Sequence, residues 1–488
     1  MQRPLKILFV TAEAAPLIKT GGLADVSYAL PKALKEAGHD VRLALPLYGT
    51  LADEHRGEHR CIVSADVGQG MVTGGLREGV LPGTNVPVYL IEHEAYFDRP
   101  HPYHHQNVEY PDNLSRFSFF SLGLMDGVRQ LDWRPDVVHC NDWHTAGLPI
   151  YIKSLFADDT FWGGVASVFT IHNMAYQGQF RAWQLPEAGL PLDLFHPGCL
   201  EFYGDLNLMK GAIAFASQIN TVSARYAKEI QTPAYGEGLD GFLRTRARDV
   251  SGILNGVDYT EWHPATDPHL AANYSADDLS GKGACKRALQ EELGLPAADV
   301  PLFGMVSRFD RQKGLDLLSE ALDQLLYEDV QVVVQGSGAP ALERLYEEKA
   351  RRFPESMRTV LRYDAPLAHR IEAGADFFLM PSRFEPSGLS QLYSLAYGTI
   401  PIVRKTGGLA DSIRDISRTN LWRGRATGIV FGPIQAEALT HAMERAMRLY
   451  DDPDTLEAVQ LTGMREDFSW EHSANEYLRL YRKAMARP

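Results

Sequence analysis

The sequence predicts an α/β protein built from two doubly wound, parallel-sheet domains that face each other across a deep cleft. Short apolar runs recur along the chain, each followed by a loop and then by helical spacing, as buried parallel strands and their crossover helices do. The runs fall into two series, one in each half of the chain. The unusual polar clusters come directly after these runs, at the carboxyl ends of the expected strands, where such sheets bind ligands.

In order, the first series opens at Ile7-Leu8-Phe9-Val10 and leads through a Gly-Gly loop into a helix expected over 26–37. Strands are expected next at 41–45, 86–91, 137–138, 167–171 and 218–222. The second series is expected to open at 251–258 and to continue at 302–306, 330–334, 359–361, 377–380 and 400–403. A length of 488 residues accommodates this plan, and 45% hydrophobic with 23% charged residues excludes disorder as the main state.

Forty-eight Lys and Arg against 62 Asp and Glu leave a net charge of −14. Nucleic-acid binders carry a basic face, so no nucleic-acid partner is expected, and any bound anion is small and locally held. The four cysteines are far apart with no Cys-x-x-Cys pair, which excludes a disulfide framework and a cysteine zinc site. No run of 18 apolar residues and no signal-peptide pattern is found, so a cytoplasmic protein without a membrane partner is expected.

Lys19-Thr20-Gly21-Gly22 pairs a cation with glycines at the head of a helix, where free N–H groups favour an anion. The heptapeptide 19–25 recurs unchanged as Lys405-Thr406-Gly407-Gly408-Leu409-Ala410-Asp411, two loops that solve a similar problem. Ser307-Arg308-Phe309-Asp310-Arg311-Gln312-Lys313 sets a planar guanidinium and a point charge five residues apart, both within reach of one diphosphate. Glu385 precedes Pro386, which biases it to extended backbone and frees its side chain for a polyol. His172 and Asn173, with Tyr176 and Gln177, supply further polyol partners, as does Asp142 beside Trp143 and His144. His101, His104 and His105 read as a solvated or substrate-facing loop. Gly336-Ser337-Gly338 nearly matches a dinucleotide pattern but lacks its acidic partner. Asp452-Pro453-Asp454 falls in a turn between helices. No resident metal or cofactor is expected.

In combination, Lys19-Thr20-Gly21-Gly22-Leu23, His172-Asn173 with Ala175-Tyr176-Gln177-Gly178, Arg308 with Lys313, and Phe384-Glu385-Pro386 closely resemble the bacterial glycogen synthases and plant starch synthases. The resemblance implies a Rossmann-like, B-type glycosyltransferase fold. An acceptor-side domain would span 1–249 with a returning helix at 467–488, and a nucleotide-sugar domain 250–466. It implies retaining transfer of glucose from ADP-glucose to the non-reducing end of an α-1,4-glucan, ADP-glucose being substrate and not cofactor.

Carried onto this chain, Lys19 and the Gly21 and Gly22 amides hold phosphate or the adjacent sugar. Arg308 and Lys313 hold the departing diphosphate, Glu385 holds glucose hydroxyls, and Asp142, His172 and Asn173 line the donor glucose. Tyr363 stacks on adenine, Gly388 and Leu389 give amides to phosphate, and Asp25 and Asn255 lie in the cleft. Two departures are Ser387, where many bacterial members have Cys, and Cys140-Asn141 before Asp142. Attack by the acceptor hydroxyl on the face that ADP leaves, with the departing phosphate as base, is the expected route. A UDP-glucose-dependent sucrose-type synthase and an inactive glucan binder are the competing readings. The Lys19–Leu23 pattern speaks against the first and the leaving-group cations against the second.

Overall fold

The apolar runs of the first half assemble into a nine-stranded sheet. Its strands are β1 (Lys6–Val10), β2 (Asp40–Pro46), β3 (Glu58–Asp66), β4 (Met71–Val80), β5 (Pro87–Glu92), β6 (Val137–Asn141), β7 (Ala166–Ile171), β8 (Gln218–Thr221) and β9 (Val250–Gly252). Their order across the sheet is β9-β8-β7-β6-β1-β2-β5-β4-β3. All neighbours are parallel except β3–β4 and β4–β5. Strands β6 and β7 are buried along their whole length, which is why they read as unbroken apolar runs and not as alternation.

The second half forms a six-stranded, wholly parallel sheet. It comprises β10 (Leu302–Val306), β11 (Gln331–Gln335), β12 (Met357–Val360), β13 (Phe377–Met380), β14 (Ile400–Arg404) and β15 (Ile429–Phe431), ordered β12-β11-β10-β13-β14-β15. The computed structural model describes residues 3–68, 70–106 and 108–486. It divides into a first unit that runs to Gly256 and resumes at Trp470, and a second unit, Val257–Ser469.

Three expectations are corrected. Residues 250–252 do not open the second series; they pair with β8 as the edge of the first sheet, Ile219 opposite Val250. The first unit accordingly reaches Gly256 and not 249. The helix expected from 26 begins at Gly22 and ends at Glu36 (α1), so Gly21 is its N-cap and Gly22 opens its first turn. The β3–β4 hairpin was not foreseen, because β3 is largely solvated and β4 is interrupted by Gly74-Gly75.

The terminal helix Trp470–Met485 belongs to the first unit. Its Tyr477 and Tyr481 are fully buried. The Tyr481 hydroxyl lies 2.8 Å from Nδ1 of His139 on β6, and Tyr477 accepts from Asn220 on β8 at 3.2 Å.

In each sheet the chain builds outward on one side of a first strand and then crosses to its other side. The switch points fall between β1 and β6, and between β10 and β13. At these points the carboxyl ends of neighbouring strands part and leave room for a ligand.

Candidate active site

At the first switch point β1 runs into Thr11-Ala12-Glu13. The Glu13 carboxylate, 4% exposed, gathers the loop that follows. Its Oε2 accepts from the backbone N–H of Thr20 at 2.6 Å and of Gly21 at 3.1 Å, and its Oε1 accepts from the Thr20 hydroxyl and, at 2.6 Å, from Tyr103. The Gly21 amide is therefore engaged internally, contrary to its expected role on phosphate. The N–H groups of Gly22 and Leu23 at the head of α1 have no intrahelical partner and remain for a ligand.

A Cβ at Gly21 or Gly22 would meet nothing within 4 Å, so packing does not demand glycine at either position. The space above them is open. Lys19 pairs at 2.6 Å with Asp25 in the first turn of α1. Burial raises the Asp25 pKa, with Lys19 opposing it.

Strand β6 ends at Asn141, and Asp142 follows it at φ +56°, a backbone region that non-glycine residues seldom occupy. The Asp142 carboxylate accepts the N–H of His172 at 2.8 Å and also that of Asn173. It ties the turn after β6 to the turn after β7. Burial pushes Asp142 up to about 7, against the lowering effect of those amides. His172 Nε2 lies 2.9 Å from the Asn141 amide oxygen, while the Asn141 NH₂ donates to the Val10 carbonyl at 3.0 Å. That orientation assigns the imidazole proton to Nε2 and leaves Nδ1 as an acceptor. Loss of hydration pushes the half-buried ring down to about 3, so it is neutral at physiological pH. Asn173 Oδ1 accepts from Ala175 N at 3.0 Å and shapes the next turn.

At the second switch point β10 leads to Arg308, whose side chain is 61% exposed and 3.5 Å from Asp310. Asp310 caps the short turn Arg311–Lys313 by accepting from Lys313 N. Gly314 follows at φ +71°, and a Cβ there would sit 2.1 Å from the Pro381 carbonyl oxygen. Only glycine lets this loop press onto the exit of β13. Lys313 Nζ then reaches Glu385 Oε2 at 2.6 Å, with Ser382 donating to the same oxygen at 3.0 Å. The pair is largely sheltered, at 20% and 7% side-chain exposure.

Gly388 and Leu389 lead into the helix Ser390–Ala396, Gly388 at φ +67°. Tyr363 stands exposed just beyond β12. Sequence reasoning missed Glu13, and also Arg404, whose guanidinium donates to the carbonyls of Ser382 and Arg383 and fixes the Glu385 loop from below. Asn255 lies beyond the edge strand β9, 5% exposed, with no partner for Oδ1 among the described residues.

The repeated heptapeptide plays two parts. In the second copy Gly407 and Gly408 touch other backbone, where a Cβ would fall 1.9 Å from the Glu385 oxygen and 2.0 Å from the Ser387 oxygen. Gly408 N donates to the carbonyls of Glu385 and Pro386 at 3.1 Å. The first copy leaves a space, and the second braces the Glu385 loop. Gly336 and Gly338 likewise exist for close packing, against the backbone of Ser307 and Phe309. Asp452 caps the helix Pro453–Met464. His101 and His104 stack at 3.7 Å in the loop that carries Tyr103. Among the described residues no group of three or more His, Cys, Asp or Glu could hold a metal ion, and no helix is long and apolar enough to cross a membrane.

Beside the first switch point a groove of about 930 Å³ is lined by Tyr96, Tyr110, Phe180 and Trp183, with Glu187 and Asp205 among its polar groups. Trp183 is 74% exposed. Phe180 packs against Trp143 at 5.6 Å, which connects the groove to the Asp142 turn.

The starch synthase catalytic domain family matches residues 6–245, and the glycosyl transferases group 1 family matches 289–458. The chain is 47% identical over 488 residues to glycogen synthase 1 of Methylococcus capsulatus, which covers 99% of this chain and 97% of that one. It is 48% identical over 486 residues to the glycogen synthase of Thioalkalivibrio sulfidiphilus, at 98% and 99% coverage. The catalytic domain of starch synthase IV from Arabidopsis thaliana, bound to ADP and acarbose, superposes with a TM-score of 0.90 at 35% identity, covering 99% of this chain and 100% of that one.

Proposed function

The chain belongs to the glycogen and starch synthase family of glycosyltransferases, and we propose that it transfers glucose from ADP-glucose to the non-reducing end of an α-1,4-glucan, with retention, releasing ADP. The observation that carries the chemistry is the sheltered Lys313–Glu385 pair at a strand switch point. A diphosphate competes for Lys313. When the lysine turns to it, the Glu385 carboxylate is freed to accept hydroxyl protons of the glucose. Ligand arrival thus exchanges one ion pair for two useful contacts and never leaves a buried charge alone.

As the glucose–phosphate bond breaks, negative charge builds on ADP and positive charge on the anomeric carbon. Arg308 and Lys313 meet the first, and they act most strongly as that charge appears. Neutral His172 offers Nδ1 to a glucose hydroxyl. Asp142, tied to the amides of His172 and Asn173, sets that turn, so its part is to place the donor sugar and not to form a covalent bond with it. The acceptor hydroxyl attacks from the side that ADP leaves, and the departing phosphate takes its proton. The cations that neutralise the diphosphate are side chains, so added chelator is expected to leave the rate unchanged.

We read the aromatic groove as the place of the acceptor chain, because the exposed Trp183 indole beside half-buried phenols and nearby carboxylates suits a neutral polyol. The four cysteines are all unpaired, which supports a cytoplasmic setting. The deciding experiment is ADP release from ADP-glucose with and without glycogen, for wild type and Lys313→Ala. Glycogen-dependent release, lowered roughly 10- to 1000-fold in the variant, is expected from losing one charge-assisted contact in the transition state. Release from UDP-glucose alone, or none with glycogen, would overturn the reading.

A further inference from the structure

A buried carboxylate is the last group one would place beneath a loop meant to receive a phosphate. Glu13 nevertheless sits there, and all four of its contacts point inward, to Thr20 N, Thr20 Oγ1, Gly21 N and Tyr103 OH. The Lys19–Asp25 pair at 2.6 Å holds the loop from outside, and a Cβ on Gly21 or Gly22 would touch nothing, so Glu13 is its anchor from within. Tyr103, in turn, stacks on His144 at 4.5 Å and 28°, two residues beyond Asp142. Burial and the nearby Glu13 charge hold the Tyr103 hydroxyl protonated, so it remains a donor. A continuous chain of contacts therefore runs from loop 19–22 through Glu13 and Tyr103 to the turn that shapes the His172 pocket.

We infer that Glu13 is a positioning residue, which fixes the conformation of loop 19–22 and, through Tyr103, keeps it in register with the Asp142–His144 turn. This rests on the transfer reaction proposed above. The role demands acceptor geometry and not negative charge. A glutamine at 13 keeps one oxygen for the Thr20 and Gly21 amides, and its NH₂ group faces two hydroxyls that can turn to accept. An alanine leaves two backbone amides and two hydroxyls without their shared partner.

The test compares Glu13→Gln, Glu13→Ala and the double variant Thr20→Val/Tyr103→Phe, by steady-state kinetics and by calorimetric titration with ADP. Glu13→Gln is expected within about fivefold of wild type in both measurements. Glu13→Ala is expected to weaken ADP binding and raise KM for ADP-glucose about tenfold or more, one or two hydrogen bonds' worth, with KM for glycogen unchanged. The double variant, which leaves Glu13 and the backbone amides in place, is expected between them, and it decides the matter should Glu13→Ala fail to fold. Glu13→Gln as damaged as Glu13→Ala would overturn the inference, since the charge itself would then be acting on the donor. ADP affinity unchanged in Glu13→Ala, or in the double variant, would overturn it equally. A wild-type protein that transfers no glucose would sink the reaction and not the role of Glu13, which the ADP titration then decides.

Discussion

Two glycines in identical sequence surroundings make the sharpest test at the level of single residues. Gly22→Ala places a methyl group in open space at the head of α1, where alanine favours the helix. Its melting temperature should hold or rise while KM for ADP-glucose increases. Gly408→Ala drives a methyl group into the Ser387 backbone and should lower both stability and kcat by displacing Glu385. Equal behaviour of the two variants would show that the loops are equivalent after all. The histidines give a second test. Burial holds His139 down at about 3, far below its free value of 6.5. The fold therefore resists its protonation, and stability present at neutral pH is lost as pH falls from 6.5 toward 3. Asp142 runs the other way: pushed up to about 7, it weakens the fold while ionised and restores stability as pH drops from 7 toward 3.8. His139→Asn isolates the first effect. It should be less stable than wild type near neutrality, yet lose less in melting temperature by about pH 5, where the wild-type histidine contributes a loss on the order of 2 kcal/mol. Glu13 shows what single-residue reading of a sequence misses. The Lys-Thr-Gly-Gly pattern was visible, but a carboxylate six residues upstream looks like any strand-end acid until the fold shows what it holds.

Among the elements, the parallel strands were legible because they are buried on both faces and apolar throughout. The β3–β4 hairpin was not, since it adds to the sheet by antiparallel pairing, with a register shift between His59 and Cys61 and half its side chains in water. Position 250–252 misled for a related reason, as a three-residue edge strand carries too little pattern to show which sheet it joins. The hairpin leaves β3 as an edge, and two side chains from the helix Asn113–Gln130 close it. Asp126 accepts from Ser64 N at 2.9 Å, and Gln130 donates to the Ile62 carbonyl at 2.8 Å. Free strand edges invite pairing with another chain, and Ile62 is 63% exposed beside this one. Asp126→Ala with Gln130→Ala should therefore raise the apparent mass in sedimentation velocity, with the helix content unchanged by circular dichroism. A double variant that sediments like wild type would show that these two side chains do not guard the edge.

For the molecule as a whole, the two-domain plan and the strand-end positions of Lys19, Asp142, His172, Arg308, Lys313 and Glu385 were readable, because a parallel sheet concentrates its ligand groups at one end. The interruption of the first unit was expected from family resemblance and has a physical origin in Tyr477 and Tyr481, which cover buried polar groups on β6 and β8. Truncation after Ser469 removes that cover. Scanning calorimetry should then show the first unit's transition abolished or shifted down by more than about 10 °C, while the second unit, whole between Val257 and Ser469, still melts cooperatively. A chain born from its N-terminus meets the same dependence in time. The inserted unit leaves the ribosome complete and can fold at once, whereas the earlier half must wait with an open face on its sheet until Trp470–Met485 has emerged. A nascent chain of this protein thus finishes its middle before its beginning, and the exposed interval is when a chaperone would be needed most.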